Sequence, residues 1–153
     1  MLQSLENPTR TLRGFQAALD LLPWCIISAK QADQPARVSM AADVMLQTHL
    51  SAWVRSGRIM EAHPVQGVWR GESEQAYLLI NCRREDAMRL CVAYGQECVA
   101  THKGLLWADG RVTPTLGALW GGAASGLDGY TVLPEGTAFA LILDETGVGE
   151  VAA

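Results

Sequence analysis

The feature that most constrains this chain is an alternation across residues 24–107, in which short apolar runs are separated by two longer segments with helical spacing. Short runs rich in β-branched and aromatic residues, bounded by Pro, Gly or polar clusters, read as strands. Residues 24–29 (Trp-Cys-Ile-Ile-Ser-Ala) are nearly all apolar and predict a buried central strand. Residues 58–65, centred on Ile59 and Met60, predict a second strand, residues 75–80 a third, and residues 97–102 and 105–108 two more. Ser39 is placed to cap a helix that ends at Gly57 and presents Val38, Ala42, Met45, Leu46, His49, Leu50 and Trp53 on one face. Asn81 is placed to cap another, with Glu85 and Asp86 in its first turn and Ala87, Leu90, Cys91 and Tyr94 as its buried stripe. Leu12, Phe15, Leu19 and Leu22 mark an N-terminal helix that Pro23 stops. The order β-α-β-β-α-β predicts an α+β fold of the ferredoxin-like kind: an antiparallel sheet with two helices on one face, preceded by the N-terminal helix. Asp109-Gly110 is a hairpin signal.

Beyond residue 112 the composition changes. Glycines 117, 121, 122, 126 and 129 lie among Ala, Ser and Trp120, so residues 113–129 read as an irregular loop or lid. Residues 130–133 and 137–143 predict extra C-terminal hairpin strands. With 153 residues and 49% apolar content the chain is long enough for one core, here residues 1–144 with its centre at 24–112 and additions at 113–144. Residues 145–153 lack apolar anchors and are expected to fray.

Several function classes are disfavoured by composition. The net charge of −4 offers no broad attraction to phosphate backbones. Residues 104–153 carry one arginine against six acids, so the C-terminal third is acidic. The longest apolar run, residues 138–143, is six residues, whereas a membrane helix needs about 20. Glu6 and Pro8 precede any apolar stretch, which does not read as a secretory signal. Cys25, Cys82, Cys91 and Cys98 lack the two-residue spacing of zinc or redox motifs and sit among apolar neighbours. They read as reduced, core-packed thiols of a cytoplasmic protein, with a secreted two-disulfide protein as the lesser alternative.

Residues 24–107 also resemble a bacterial family of small proteins of unassigned function. The resemblance lies in the strand Cys25-Ile26-Ile27-Ser28-Ala29, in Gly67-Val68-Trp69 with Glu72-Ser73 downstream, in Asp86-Ala87, and in Tyr94-Gly95-Gln96 leading into Cys98-Val99-Ala100. The sequence departs from that pattern where Lys30-Gln31 replace the family's Asn-Pro and where Glu72 and Ser73 are adjacent. The resemblance implies a shared fold and brings no reaction with it.

No catalytic constellation is evident. His49-Leu50-Ser51 has the His-x-Ser form of two-histidine phosphoesterases, but neither His63 nor His102 repeats it. The histidines and cysteines show no zinc-ligand spacing, and the glycines of 117–129 lack the lysine of a phosphate-binding loop. No cofactor or metal is therefore expected. Arg55, Arg58, Arg70, Arg83, Arg84 and Arg89 form at most a small basic face, read as a solvated surface, and nucleic acid is not expected as a partner. The most suggestive group is Trp69, Arg70, Glu72 and Ser73 with Tyr94 and Gln96. An aromatic wall beside carboxylate, hydroxyl and carboxamide suits a small polar ligand. The plainer reading, which the sequence favours, makes Trp69 a loop anchor and gives Glu72 and Gln96 backbone groups to satisfy.

Two functions follow as expectations. The first is a non-enzymatic interaction protein or modulator of bacterial or mobile-element origin. It would dock on a protein partner through a sheet edge, the acidic C-terminal third, or the glycine-rich segment with its aromatics Trp107, Trp120 and Tyr130. The second is a sensor or enzyme for a small, nucleotide-like or acyl-like molecule at Trp69, Glu72, Ser73 and Gln96. Open strand edges would also permit a homodimer.

Overall fold

The computed structural model describes residues 10–147. Helix α1 (Leu12–Leu21) starts at Thr11, whose hydroxyl accepts from the Gly14 N–H at 3.1 Å. It is followed by β1 (Trp24–Ser28), α2 (Ala36–Arg55), β2 (Glu61–Trp69), β3 (Glu72–Ile80), α3 (Arg84–Ala93), β4 (Cys98–Thr101), β5 (Gly104–Trp107), β6 (Val112–Trp120), β7 (Tyr130–Val132) and β8 (Ala138–Leu143). Short 3-10 turns cover Ala124–Gly126 and Glu145–Gly147. Residues 148–153, most of the segment expected to fray, lie outside the described residues, as do residues 1–9 with Glu6 and Pro8.

The ferredoxin-like α+β expectation is overturned. Strands and helices alternate in the expected order from β1 to β4, but the sheet has no free edge. All eight strands join antiparallel into a closed barrel in the order β1-β3-β2-β7-β8-β6-β5-β4, with β4 pairing back to β1. Two departures from the local reading produce the closure. First, β2 does not end at Val65. The stretch left between the strands expected at 58–65 and 75–80 shrinks to the turn Arg70-Gly71, whose φ values of 52° and 82° are those a two-residue turn needs to match strand twist. The added residues Gln66, Gly67 and Val68 pair with Val132, Thr131 and Tyr130 of β7. Second, the first half of the expected lid is wall. Strand β6 pairs with β5 on one side and β8 on the other, with a bulge between Thr115 and Gly117. The β4–β5 turn requires glycine: at Gly104 (φ +124°) an added Cβ would stand 2.0 Å from the Thr113 carbonyl oxygen.

Strand pleating separates two cores. Cys25 and Ile27 of β1, with Tyr77 and Leu79 of β3, face outward under Leu46, Leu50 and Trp53 of α2 and Leu90 and Cys91 of α3. Trp24 of β1 and Leu78 and Ile80 of β3 face the lumen with Val65 and Phe139. Burial on both faces explains the unbroken apolar run of β1. Local details differ from expectation. Helix α2 starts after Pro35, and the Ser39 hydroxyl instead accepts from the Gln31 N–H at 2.8 Å. Met45, placed on the buried face by spacing, is 67% exposed beside exposed Met40 and Val44. Helix α3 starts after Arg83, not at Asn81.

One end of the barrel is plugged by α1. Phe15 is fully buried there, edge-on to His63 with ring centroids 5.2 Å apart. Arg10 reaches Glu61, which in turn holds His63 Nε2 at 2.7 Å. The Arg10 guanidinium holds the Glu61 carboxyl below its ordinary value of 4.5. Burial pushes His63 below 6.5, against the pull of Glu61. Both shifts weaken the fold on acidification, because the unfolded chain takes up the proton more readily. The denaturation midpoint should fall as pH drops below the ordinary His63 value of 6.5, and again below the ordinary Glu61 value of 4.5. His63→Phe should flatten the first decline in urea titrations run across that range; an undiminished decline would contradict the assignment. Phe15→Ala should cost about 3–5 kcal/mol in the same assay, as removal of a buried ring without collapse does.

Candidate functional site

An eight-stranded barrel is just wide enough to be filled by its own side chains or to hold one small ligand. Here the two ends differ. The plugged end is packed with large groups, including Trp24, Phe139 and Trp120, the last two with ring centroids 4.5 Å apart. Toward the other end the walls carry Ser28, Gly67, Ala76 and Ala100, and a cavity of about 1100 Å³ opens to solvent. Its apolar lining includes Ile26, Leu105 and Leu141, with Trp69 and Trp107 nearer the mouth. The inner face of β3 shows the gradient within one strand: Glu72, Glu74 and Ala76 from the mouth inward, then Leu78 and Ile80 at the floor.

The mouth is built from the turns at that end. Trp107 is fixed by its indole N–H, which donates to Thr113 Oγ1 at 2.9 Å. Trp69 carries the Arg70 guanidinium 5.0 Å from its ring centroid and has Gly129 against its ring, close enough that a Cβ there would stand 3.4 Å away. Arg70 pairs with Glu97 at 3.0 Å, and Lys30 with Glu72 at 3.6 Å. Glu74 faces inward opposite Gly67, and among the described residues its carboxylate accepts no hydrogen bond. Burial pushes the Glu74 carboxyl up; Lys30 opposes this and Glu72 adds to it. Cys98, also on the cavity wall, has its thiol pushed up to about 12, first by burial and then by Glu97. It is therefore protonated at neutral pH and is a poor nucleophile.

Four of the seven residues singled out by sequence meet at this mouth: Trp69, Arg70, Glu72 and Gln96. The other three do not. Ser73 is exposed on the outer face of β3, where its hydroxyl accepts from Gln66. Tyr94 lies on the outside of the barrel, its hydroxyl 3.3 Å from His49 Nδ1. Trp120 is half-buried and packs against Phe139 at the barrel floor, away from the mouth. Gln96 is engaged by backbone: its amide donates to the Lys30 and Tyr94 carbonyls, each at 3.0 Å. Sequence reasoning missed Glu74, Gly67, Cys98 and Lys30. The signal for Glu74 was the two-residue period of β3, in which Glu72 and Glu74 precede Ala76, Leu78 and Ile80 on one face.

Other groupings disperse. His49 is on α2, His63 is in the lumen, and His102 accepts from the Trp24 N–H at 3.4 Å. Among the described residues no cluster of His, Cys, Asp or Glu is placed to hold a metal ion. All four cysteines are free thiols, with the Cys25 and Cys82 sulfurs 3.8 Å apart in the outer core. The arginines split between the two ends: Arg58 stacks on Trp53 and pairs with Asp86 at 3.0 Å, while Arg70 belongs to the mouth. No helix among the described residues is long and apolar enough to cross a membrane. No protein-family model and no curated protein matches the chain.

Proposed function

We propose that this chain is a non-enzymatic binding protein that holds a small amphipathic molecule in the lumen of its barrel. The observation that carries this reading is the cavity of about 1100 Å³, open at one end and plugged by α1 at the other. Pockets for small ligands are concave and largely apolar, with few polar groups that orient the bound molecule. The lumen fits that description: Ile26, Leu105 and Leu141 offer apolar contact, and Glu72, Glu74, Lys30 and Arg70 supply polar groups at the mouth. The apolar depth favours the acyl-like ligand over the nucleotide-like one, since a phosphate would meet a mouth in which Glu72, Glu74, Glu97, Asp128 and Glu145 outnumber Lys30 and Arg70. The elevated thiol of Cys98 supports binding over turnover. Docking through an open sheet edge, or a homodimer made that way, loses its basis because every strand of the barrel has two neighbours.

The test uses 1-octanol as an uncharged probe. A ligand that binds only the folded chain raises the melting temperature by mass action. Octanol should raise it saturably, and calorimetry should give one site per chain. Gly67→Phe places a ring in the lumen at a position whose backbone tolerates a side chain. It should weaken octanol binding at least about tenfold, the loss of roughly two buried methylenes' worth of contact. Met40→Ser on the exposed face of α2 should leave it unchanged. Octanol binding that survives Gly67→Phe in the folded variant would contradict the proposal.

A further inference from the structure

We propose that the occupant of the lumen carries a cationic amine head seated at Glu74, with its apolar body directed inward toward Ile26 and Leu105; this rests on the reading of the lumen as a ligand site. Three independent features converge on that chemistry.

The first is the pairing of charge at the mouth. Lys30 pairs with Glu72 at 3.6 Å while its charge also reaches Glu74, and Arg70 pairs with Glu97 at 3.0 Å. Once these pairs are set aside, the charged groups left on the lining are acids: Glu74, Asp128 and Glu145. The lining's five acids exceed its two bases, so an incoming anion is repelled and an incoming cation is attracted.

The second is the position of Glu74. It stands on the inner face, opposite Gly67 and one same-face step further in than Glu72. Gly67 leaves room beside it, since the nearest atom an added Cβ would meet is Glu74 Cγ, at 3.4 Å. Among the described residues its carboxylate accepts no hydrogen bond. A half-buried carboxyl in that condition is costly when ionised, and an ammonium donating to it offsets the cost with a charge-assisted hydrogen bond.

The third is the aromatic rim. Trp69, on the same inner face opposite Glu72, and Trp107, fixed by Thr113, are the two indoles that line the cavity. Tryptophan faces attract ammonium groups, and both already hold an arginine, Arg70 at 5.0 Å and Arg111 at 5.5 Å from the ring centroids. Below the rim the lining becomes apolar. A primary amine on an alkyl or aromatic body matches this order of groups from mouth to floor.

The experiment compares three probes that share one body: octylammonium, 1-octanol and octanoate, each titrated calorimetrically into the full chain at neutral pH. Octylammonium should bind about tenfold more tightly than octanol, the effect of one charge-assisted hydrogen bond, and octanoate more weakly than either. Glu74→Gln, which keeps the shape and removes the charge, should bring octylammonium to the affinity that octanol has in the same variant. Equal binding of octanol and octylammonium, or a preference that survives Glu74→Gln, would overturn the amine assignment while the lumen site stands. Failure of all three probes to bind would overturn the lumen site as well, so the two readings fail separately.

Discussion

The structure depends on one short strand. Residues Tyr130–Val132 form β7, which pairs with Gln66, Gly67 and Val68 of β2 on one side and with Phe139 and Ala138 of β8 on the other. Without it the sheet would have two open edges, each a row of unpaired backbone donors and acceptors. With it the sheet closes, the edges disappear and an interior exists. Few ladder contacts therefore decide between an open layered sheet and a vessel. The glycine-rich segment serves the same end: a bulge at Thr115/Gly117 lets β6 bend between β5 and β8.

Closure creates a lumen, and the sequence fills only half of it. At the α1 end, Phe15, Trp24, Leu78, Ile80 and Phe139 form a buried cluster. Toward the mouth, Gly67, Ala76, Ala100 and Ser28 occupy the corresponding inward positions. Small residues on the wall give up contact energy that larger side chains would supply. The plug, the outer layer of α2 and α3, and the Arg10–Glu61–His63 contacts supply stability elsewhere. The core thus weights the α1 end and the cavity the mouth, with Ala76 and Phe139 shared between the two.

Much of the local structure was legible. The apolar run of β1, the helical spacing in α2 and α3, the stop at Pro23 and the C-terminal strands were each readable because they depend on neighbours a few residues away. The closure was not readable, because it depends on pairings such as Gly67 with Thr131, separated by 64 residues of chain. Gly67 falls outside the strands readable from sequence and the stretch around Gly117 reads as a loop, yet both are in strands held by partners distant in sequence. The site shows the same division. Trp69, Arg70 and Glu72 were singled out together because they flank a turn, and the turn does bring them to the mouth. Ser73 was grouped with them by adjacency, but strand alternation sends it to the other face. Trp120 beside glycines looked like an exposed anchor until Phe139 supplied a lumen for it to fill.

The central claim, that the lumen and not the outer surface receives the ligand, has a direct measurement. Intermolecular nuclear Overhauser effects can be recorded between the alkyl chain of bound octylammonium and the methyl groups of the protein. The account predicts contacts to Ile26, Leu105 and Leu141 on the cavity wall. Contacts to Met40, Val44 and Met45 on the exposed face of α2, with none to the lumen, would contradict it.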